Sequence, residues 1–482
     1  MIVLLWLAIC VLTSGTVRPI KRVAICGGGT GGLGLAVALK KLAPSVEHVH
    51  IFEKRSSVEQ ATMGGGVQLS GGAKVLDALG HLPALHKIAE PLTGVLSRNV
   101  KEDTLLSLDI DALVRERART VLTSADGTPV VYSVMRDALQ KVLLEACSGE
   151  VGAQVHITTD RECTIVQEDD SSETVSLGFA DGSTQGDFDM VVGADGINSA
   201  VRAHTATQND PLLPLPWLEP GLRYTGVRIT FASTEVDDSF TLRPMDGRGK
   251  FHQWFGDGCY ALCASYGGVD GVQHMLALVR AADDDAERGE NPEWRQNTAS
   301  ANLKHTTRQR LLRAGFGGNE EVLSLLEGCP AERFVDLGVR DRSVPLKNWA
   351  SRSGRVVLLG DSAHAMAPFL GQGANQALQD AYSLATAVAR YNQPRGALRA
   401  LGDASLIGYV RQYELERKLP TTLLSAKSNF LGFVETRGGL LGQLARDVFF
   451  KVMGALGVAA YVFLDGAQPK VDMTDSRHQD GE

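Results

Sequence analysis

The chain lacks any basic block: its 482 residues carry 48 lysines and arginines against 56 acidic residues, a net charge of −8. Because nucleic-acid phosphates need a basic face, this composition argues against a nucleic-acid partner. The seven cysteines show no C-x-x-C spacing, which indicates neither a metal site nor a disulfide framework. Internal repeats are also missing. What remains, 44% hydrophobic and 22% charged residues, is typical of a globular protein, and the length favours about two domains.

The N-terminal segment from Ile2 to Leu12 is apolar but short for a bilayer span, and Thr13, Ser14 and Gly15 follow it. This pattern favours a secretory signal with a small-residue cleavage zone, although no basic residue precedes the apolar run. The first core strand begins only at about residue 22. We therefore expect residues 1–18 to be a signal peptide for ER entry, leading to the secretory pathway or to an organelle reached through the ER.

A glycine-rich turn joins the strand-like run RVAIC to a stretch with helical period that ends at Leu42. Gly27, Gly29 and Gly32 have the spacing G-x-G-x-x-G. Such glycines let a pyrophosphate approach the backbone, and the helix N-terminus offers it free N–H groups and partial positive charge. The motif alone is weak, because glycine-rich turns are common. Glu53 strengthens it, since it ends the next apolar run 21 residues beyond Gly32, the spacing of an acid that binds an adenosine ribose.

Two further apolar runs end in a carboxylate at a turn. DMVVGADGINSAVR contains Asp195 and Gly196, and RVVLLGDSAHAMAPFLGQGANQALQ contains Asp361, then Pro368 and the Gly371-Gln372-Gly373 turn before an amphipathic helix. Ligands of open α/β sheets collect at such strand ends. The sequence thus predicts three chain turns that converge on one ligand.

The stretch from 222 to 266 is rich in predicted strands. Residues 227–231 alternate apolar and polar side chains, the period of a half-buried strand, and Gly256-Asp257-Gly258 separates two aromatic runs as in a hairpin. A sheet that interrupts an α/β domain would form a substrate domain. The sequence does not tell which of its side chains face a substrate, and the candidates are Arg228, His252, Trp254 and Tyr260.

The three motifs, in this order over roughly residues 22–430, resemble class A (single-component) FAD-dependent monooxygenases, which include salicylate hydroxylases, para-hydroxybenzoate hydroxylases and zeaxanthin epoxidases. The resemblance implies an α/β fold, with a glutathione-reductase-like Rossmann FAD-binding domain interleaved with a β-sheet substrate domain, plus C-terminal helices. The expected division is a targeting segment at 1–18, the FAD-binding domain at 19–215 and 336–400, the β-rich substrate domain at 216–335, and a C-terminal helical region and tail at 401–482.

The resemblance also implies the contacts at the adenosine end of FAD. Gly27, Gly29 and Gly32 would hold the pyrophosphate and Glu53 the ribose, while Lys54 or Arg55 would pack near the adenosine. Arg136 matches an arginine that contacts FAD in the family. A cation in the first turn of a helix opposes the helix dipole, and a nearby phosphate would relieve that conflict, although a solvated surface arginine is the alternative.

At the flavin end, the resemblance implies that Asp361 bonds the ribityl chain and that Asp195 and Gly196 take part in FAD and NAD(P)H binding. Val67 would lie in a segment beside the flavin ring. The turn that would approach the ring consists of Pro368, Gly371, Gln372, Gly373 and Ala374. The helix that follows would stabilise negative charge on the reduced flavin through its free N–H groups.

The family chemistry implied is reduction of FAD by NAD(P)H, addition of molecular oxygen at C4a, and transfer of one oxygen atom from the flavin hydroperoxide to an aromatic or isoprenoid-type small molecule. Because the cofactor supplies the reactivity, the chain has to hold the substrate and exclude water. We assign no catalytic residue, general base or metal. A reductase-type or a non-catalytic FAD-binding protein of the same fold, with membrane association, stays open as an alternative.

The tail contains an apolar stretch, VFFKVMGALGVAAYVFL from Val448 to Leu464, with Lys451 as its single charge. It is shorter than a comfortable membrane span. A terminal helix packed on the fold is the first interpretation. An exposed helix would instead make peripheral membrane contact and favour a lipophilic substrate.

Overall fold

The computed structural model describes residues 18–58, 65–149, 151–209, 222–235, 249–282, 295–296, 301–342, 344–393 and 405–473. The expected signal peptide therefore lies outside the described residues, apart from Arg18 at its end. Its role in targeting stays a prediction.

The described strands fall into three sheets. They are β1 Arg22–Cys26, β2 His48–Phe52, β3 Gly66–Leu69, β4 Glu90–Pro91, β5 Gly94–Asn99, β6 Thr104–Asp109, β7 Tyr132–Met135, β8 Gln154–Thr158, β9 Cys163–Asp169, β10 Thr174–Phe179, β11 Thr184–Phe188, β12 Met190–Gly193, β13 Leu222–Glu235, β14 Lys250–Phe255, β15 Cys259–Gly268, β16 Gly271–Ala281, β17 Arg295–Gln296, β18 Val335–Arg342 and β19 Val356–Leu358.

The helices cover the sheets and form the C-terminal region. They are α1 Thr30–Leu42, α2 Gly71–Ala78, α3 Leu82–Ile88, α4 Ile110–Arg117, α5 Arg119–Leu122, α6 Arg136–Cys147, α7 Ala200–Asn209, α8 Ala301–Arg313, α9 Glu320–Gly328, α10 Asp361–His364, α11 Gly373–Asn392, α12 Leu406–Glu435, α13 Gly439–Ala455 and α14 Val458–Ala467. Short 3-10 turns lie at Phe316–Gly318, Ala331–Arg333 and Pro368–Leu370.

The first sheet is parallel, in the order β19-β12-β1-β2-β8. Its central strand β1 is apolar and fully buried at Val23 and Ile25, because α1 packs on one face of the parallel sheet and a small antiparallel sheet packs on the other. This small sheet has the strand order β11-β10-β9. The carboxyl ends of β1, β12 and β19 carry the three motifs found in the sequence, which confirms the expected Rossmann-like arrangement.

The large sheet runs β17-β18-β13-β16-β15-β14-β5-β6, and β7 joins it through β15 while pairing with β3 and β4. Strands from residues 66–135 therefore belong to this sheet, although the sequence analysis assigned 19–215 to the FAD-binding domain. The strand β18 likewise crosses the expected boundary at 336. The reason is that β5 pairs in parallel with the distant β14, a long-range contact that local periodicity does not reveal.

The strand β13 is buried on both faces, so the expectation of a half-buried strand is wrong. Ile229 is 5% exposed, yet its polar neighbours Arg228 and Thr230 are only 1% and 2% exposed. Helices α8 and α9 pack on the second face and form a separate apolar cluster with the sheet residues there. Asp336 accepts hydrogen bonds from Arg228 Nε at 2.6 Å and Thr230 Oγ1 at 2.7 Å, which makes the buried polar residues tolerable.

The C-terminal region consists of the long helix α12 followed by α13 and α14. The apolar stretch 448–464 is not one helix, because Gly457 adopts a φ of +68° and separates α13 from α14. No single described helix has the length and hydropathy to cross a membrane, whereas α13 and α14 together meet that test but are bent by 78°. The first interpretation, a helix packed on the fold, holds for one side only: Phe450 and Leu464 are buried, whereas Val448, Leu456 and Tyr461 are 51%, 70% and 66% exposed.

Candidate active site

A cleft of about 490 Å³ lies between the glycine-rich turn and the large sheet. This volume suits a cofactor or small-molecule site. Its walls come from the N-terminal ends of α1 and α11, from β3, and from the sheet face carrying β13, β15 and β16. Ten of the predicted cofactor-binding residues line it: Gly29, Val67, Arg136, Gly196, Asp361, Pro368, Gly371, Gln372, Gly373 and Ala374.

The glycine-rich turn is tightly packed at two of its three predicted positions. A Cβ on Gly27, whose φ is +108°, would lie 2.3 Å from the Ala194 carbonyl oxygen. A Cβ on Gly32 would lie 2.0 Å from the Gly27 carbonyl oxygen. A Cβ on Gly29 would instead meet no protein atom within 4 Å. The fold therefore leaves open space at the point where α1 begins, at Thr30.

Glu53 supports this turn from behind and is 5% exposed. Its Oε2 accepts a hydrogen bond from the Gly28 amide at 2.8 Å, and its Oε1 accepts from Arg55 N and Nε at 3.0 and 2.9 Å. Burial alone would raise the pKa of Glu53, but the hydrogen bonds from Arg55 and Gly28 outweigh it and lower the pKa. Lys54 points away, 4.0 Å from Glu162. The roles of these residues toward adenosine stay predictions.

Asp195 caps helix α7 rather than lining the cleft. Its Oδ2 accepts hydrogen bonds from the amides of Ala200 and Val201 at 2.8 and 3.3 Å. Its Oδ1 is buried and has no hydrogen-bonding partner within the described ranges, and burial raises the pKa of the carboxyl. Gly196, with a φ of +78°, brings the backbone to the cleft wall. A buried acceptor of this kind is costly unless a ligand or water donates to it.

The Gly360-Asp361 turn is held by Asp380, a fully buried carboxylate that the sequence analysis missed. Asp380 accepts hydrogen bonds from Gly360 N at 2.8 Å, His364 Nε2 at 2.6 Å and Arg417 Nε at 2.8 Å. Burial would raise the pKa of Asp380, but His364 and Arg417 hold it at about 2. Asp361 itself is exposed at the cleft wall. The buried network thus fixes the turn and leaves the Asp361 carboxylate available to a ligand.

The N-terminus of α11 opens into the cleft. A Cβ on Gly373, its first residue, would meet no protein atom within 4 Å. Asn375 ties this end to β3, because its Oδ1 accepts from the amides of Ser70 and Gly72 at 2.8 and 2.9 Å and its Nδ2 donates to the Gln68 carbonyl at 2.8 Å. The free N–H groups of a long helix favour negative charge at this position.

Arg136 is the first residue of α6 and is exposed at the cleft wall. Its side chain makes no hydrogen bond or ion pair to any residue that the structure describes. A cation in a first helical turn is unfavourable without an anion nearby. Its position beside the open space of the cleft is therefore suited to an anionic ligand.

The large sheet presents an apolar wall to the cleft, formed by Ile229, Phe231, Leu262, Met275, Ala277 and Val279. Of the four candidates on the strands, only Tyr260 lines the cleft. Arg228, His252 and Trp254 lie on the opposite face, where Trp254 Nε1 donates to Glu102 at 3.0 Å. The orientation of the sheet therefore shows that Tyr260, and not the other three candidates, faces the cleft.

A buried carboxyl lies beside Tyr260, on the same face of the sheet as this wall. Glu435, the last residue of α12, is 3% exposed and accepts a hydrogen bond from Gln253 Nε2 at 2.9 Å, while Ser97 donates to the Gln253 amide oxygen at 2.9 Å. Burial raises the pKa of Glu435 to about 8, against the opposing influence of Gln253, Tyr260 and Arg446. Burial also raises the pKa of Tyr260 well above its ordinary value. Glu435 therefore holds its proton at neutral pH.

These features fit a flavin dinucleotide. The open space at Gly29 adjoins a helix N-terminus that favours phosphate, and Arg136 offers a cation beside it. The open space at Gly373 adjoins a second helix N-terminus, next to the exposed carboxylate of Asp361. The cleft thus provides anion-binding groups and a hydroxyl acceptor, with the apolar wall beside them.

The fold and the cleft define a dinucleotide-dependent oxidoreductase with a separate sheet for its substrate. The sequence matches the family described as FAD binding domain over residues 21–307 and 341–401. The chain belongs to this family, among the class A FAD-dependent monooxygenases. The expected family, fold class and enzyme class are confirmed.

Three proteins illustrate the similarity. The chain is 29% identical to 3-amino-4-hydroxybenzoate 2-monooxygenase PtmB3 of Streptomyces platensis over 371 residues, 76% of this chain and 79% of that protein. It is 26% identical to the chloroplastic zeaxanthin epoxidase of Prunus armeniaca over 463 residues, 93% of this chain and 61% of that protein. The structure of Klebsiella pneumoniae HpxO with FAD and uric acid matches with a TM-score of 0.69 at 21% identity, covering 92% of this chain and 97% of that one. This last likeness shows the fold alone.

Proposed function

We propose that the protein is an FAD- and NAD(P)H-dependent monooxygenase that inserts one oxygen atom of O2 into an aromatic or isoprenoid-type small molecule. The observation that carries this proposal is the cleft where the glycine-rich turn, the N-terminus of α11 and the apolar wall of the large sheet meet. The names of two relatives, for a hydroxybenzoate and for zeaxanthin, support both substrate types.

When bound, FAD would supply the redox chemistry, since it can be reduced by NAD(P)H and can then react with oxygen. Gly29 would leave room for its pyrophosphate at the start of α1, Gly27 and Gly32 would allow the tight turn, and Arg136 would balance the phosphate charge. Asp361 would accept a hydrogen bond from a hydroxyl of the cofactor, since its carboxylate is exposed at the cleft wall.

The N-terminus of α11 would stabilise negative charge in the cleft, because the space at Gly373 gives a ligand access to free backbone N–H groups. Asn375 would keep this end in place by its three hydrogen bonds to the segment 68–72. Pre-organised donors of this kind need no rearrangement during the reaction.

The sheet wall would hold the substrate and exclude water from the reacting groups. Its residues are apolar except for Tyr260, Tyr266 and Arg340, which are suited to orient a polar substituent of the substrate. Glu435 keeps its proton beside Tyr260 at neutral pH.

We also propose that the protein contacts a membrane peripherally through its C-terminal helices and that residues 1–18 direct it into the ER. The exposed apolar side chains of α12, α13 and α14 support the first proposal. The apolar run from 2 to 12 supports the second. Sequencing the N-terminus of the protein from cells tests the signal, because an intact Met1 would contradict cleavage.

The activity is tested by following NADH or NADPH oxidation, oxygen uptake and hydrogen peroxide together, with the purified flavoprotein and a panel of phenolic acids and isoprenoids. We expect at least one compound to accelerate oxidation without a matching release of peroxide. The Gly29→Val variant serves as the control, since it should retain the fold without the cofactor. Oxidation that no compound accelerates, or that yields only peroxide, would contradict the proposal.

A further inference from the structure

The three C-terminal helices expose an unusual amount of apolar surface. Of the 18 large hydrophobic residues that are exposed within the described residues, 13 lie between 415 and 461. We call these the C-terminal apolar face: Leu415, Leu419, Leu423, Phe430, Phe433, Leu440, Leu441, Leu444, Val448, Val452, Leu456, Val458 and Tyr461. Soluble monomers seldom expose contiguous apolar patches of more than a few hundred Å².

The spacing of these residues places them on one side of each helix. At 3.6 residues per turn, the five positions from 415 to 433 fall within a sector of about 80° on α12. The five positions from 440 to 452 fall within about 120° on α13. The opposite side of α12 is buried, as at Tyr413 and Leu424, and that of α13 is buried at Phe450. Both helices thus have an inner packed side and an outer apolar side.

The two outer sides are joined. The rings of Phe430 on α12 and Phe449 on α13 lie 5.8 Å apart, and those of Phe449 and Phe450 lie 5.5 Å apart. The bend of 78° after α13 then turns α14 beside it. The apolar residues therefore form one continuous surface rather than scattered exposed positions.

The exposed charges in this region are all of one sign. From 405 to 470 the exposed charged residues are Arg411, Arg437 and Lys451, and no acidic residue in that range is exposed. Arg437 lies over the Phe433 ring, 3.6 Å from its centroid. This local basic character contrasts with the net charge of −8 for the whole chain.

We propose that the C-terminal apolar face docks on an anionic lipid bilayer, with the three helices lying in the interface and not crossing it. This inference rests on the proposed function and deepens its peripheral membrane contact, because it names the surface, the orientation of the helices and the charge of the lipid. Apolar side chains enter the acyl boundary, while lysine and arginine at its edge reach lipid phosphates. Tyr461 supplies an amphipathic ring suited to the headgroup level.

The charge pattern favours a bilayer over a second copy of the chain. A symmetric dimer through this face would place Arg437 and Lys451 against a partner surface that has no exposed acidic residue, and like charges without acidic partners oppose association. Anionic lipid headgroups instead complement them. The bend between α13 and α14 likewise suits helices lying along a surface.

The docking helix is also part of the cleft. Gly432 of α12 packs on the Phe369 ring so closely that a Cβ there would lie 2.2 Å from it, and Phe369 lines the cleft. Ser428 Oγ donates to the Ala367 carbonyl at 2.6 Å. The outer side of α12 would therefore meet lipid while its inner side contacts the segment that bounds the substrate site.

Flotation of the full-length protein, with FAD bound, tests the proposal using phosphatidylcholine vesicles with and without phosphatidylserine. We expect binding to both, stronger with phosphatidylserine and weaker in high salt. The combined change Leu440→Ser, Leu441→Ser and Leu444→Ser should weaken binding by roughly tenfold or more, because three exposed apolar side chains are removed. These residues are 83%, 81% and 60% exposed, so the fold should not depend on them.

The matched control is Val151→Ser, which removes an equally exposed apolar side chain, 87% exposed, outside the C-terminal apolar face. It should float like the wild type. The proposal is overturned if the triple variant also floats like the wild type, if the wild type binds neither vesicle, or if light scattering shows a dimer that the triple variant dissociates. Substrate-dependent NAD(P)H oxidation, measured without vesicles on the same samples, separates a failure of the proposed function from a failure of docking.

Discussion

Replacing Glu435 by glutamine should change how the stability of the protein depends on pH. The carboxyl is 3% exposed, and burial raises its pKa from 4.5 to about 8. The unfolded chain therefore releases this proton at a lower pH than the folded chain does. The stability that this buried proton contributes to the fold is fully present below pH 4.5 and is lost as pH rises toward 8.

The size of the effect follows from the two pKa values. A pKa raised from 4.5 to about 8 corresponds to roughly 5 kcal/mol of unfolding free energy, lost progressively between these pH values. About 1 kcal/mol is lost at pH 5 and about 3 kcal/mol at pH 7 by the same linkage relation. Glutamine carries no charge, and its side-chain oxygen can still accept from Gln253 Nε2. The unfolding free energy of Glu435→Gln, relative to that of the wild type, should therefore increase by roughly 4 kcal/mol between pH 5 and pH 9.

Urea unfolding of the FAD-saturated protein at pH 5, 7 and 9 gives this difference, with Glu116→Gln as a control at an exposed acid. Infrared difference spectra supply an independent readout, because the carbonyl band of a protonated carboxyl should disappear near pH 8 in the wild type and be missing from Glu435→Gln. A stability difference that is the same at pH 5 and pH 9 would refute the reasoning, as would a wild type with no such band at pH 6.

Three further changes test the cofactor site. Gly29→Val should lose bound FAD with an unchanged circular dichroism spectrum, because the valine side chain would fill the open space. The control Gly149→Val, at another glycine where a Cβ would meet no protein atom within 4 Å, should keep its FAD. Full flavin content in Gly29→Val would show that the turn is misassigned. Asp361→Ala should weaken FAD binding by about 1–3 kcal/mol in a fluorescence titration, and an unchanged Kd would contradict its role. Asp380→Asn should lower the unfolding free energy by about 3–5 kcal/mol, because Arg417 stays buried without its charge partner, and an unchanged Tm would argue against this.

The sequence predicts those parts of the fold that depend on short-range pattern. The β-branched run before Gly27 gives the buried strand β1, and the Gly256-Asp257-Gly258 turn joins β14 to β15 as the predicted hairpin. Cys259 and Cys263 share one buried face of β15, because residues four apart in a strand lie on the same side of the sheet. In each case the signal lies within a few residues of the structure that it specifies.

The parts that depend on distant contacts could not be predicted. The burial of Arg228 is set by Asp336, which is more than a hundred residues away on β18, and by the helices that cover that face. Asp380 and Glu435 both lie in helices, where a polar residue ordinarily indicates the solvated side. Only the tertiary packing places the first beneath the Gly360 turn and the second beside Tyr260.

The close packing of Gly432 on Phe369 has a kinetic consequence. A lipid-soluble substrate would arrive by diffusion in two dimensions, through the layer against which α12 rests, and would scarcely pass through bulk water. The turnover rate would then follow the mole fraction of substrate in the membrane, and adding inert lipid at constant total substrate would slow the enzyme by surface dilution.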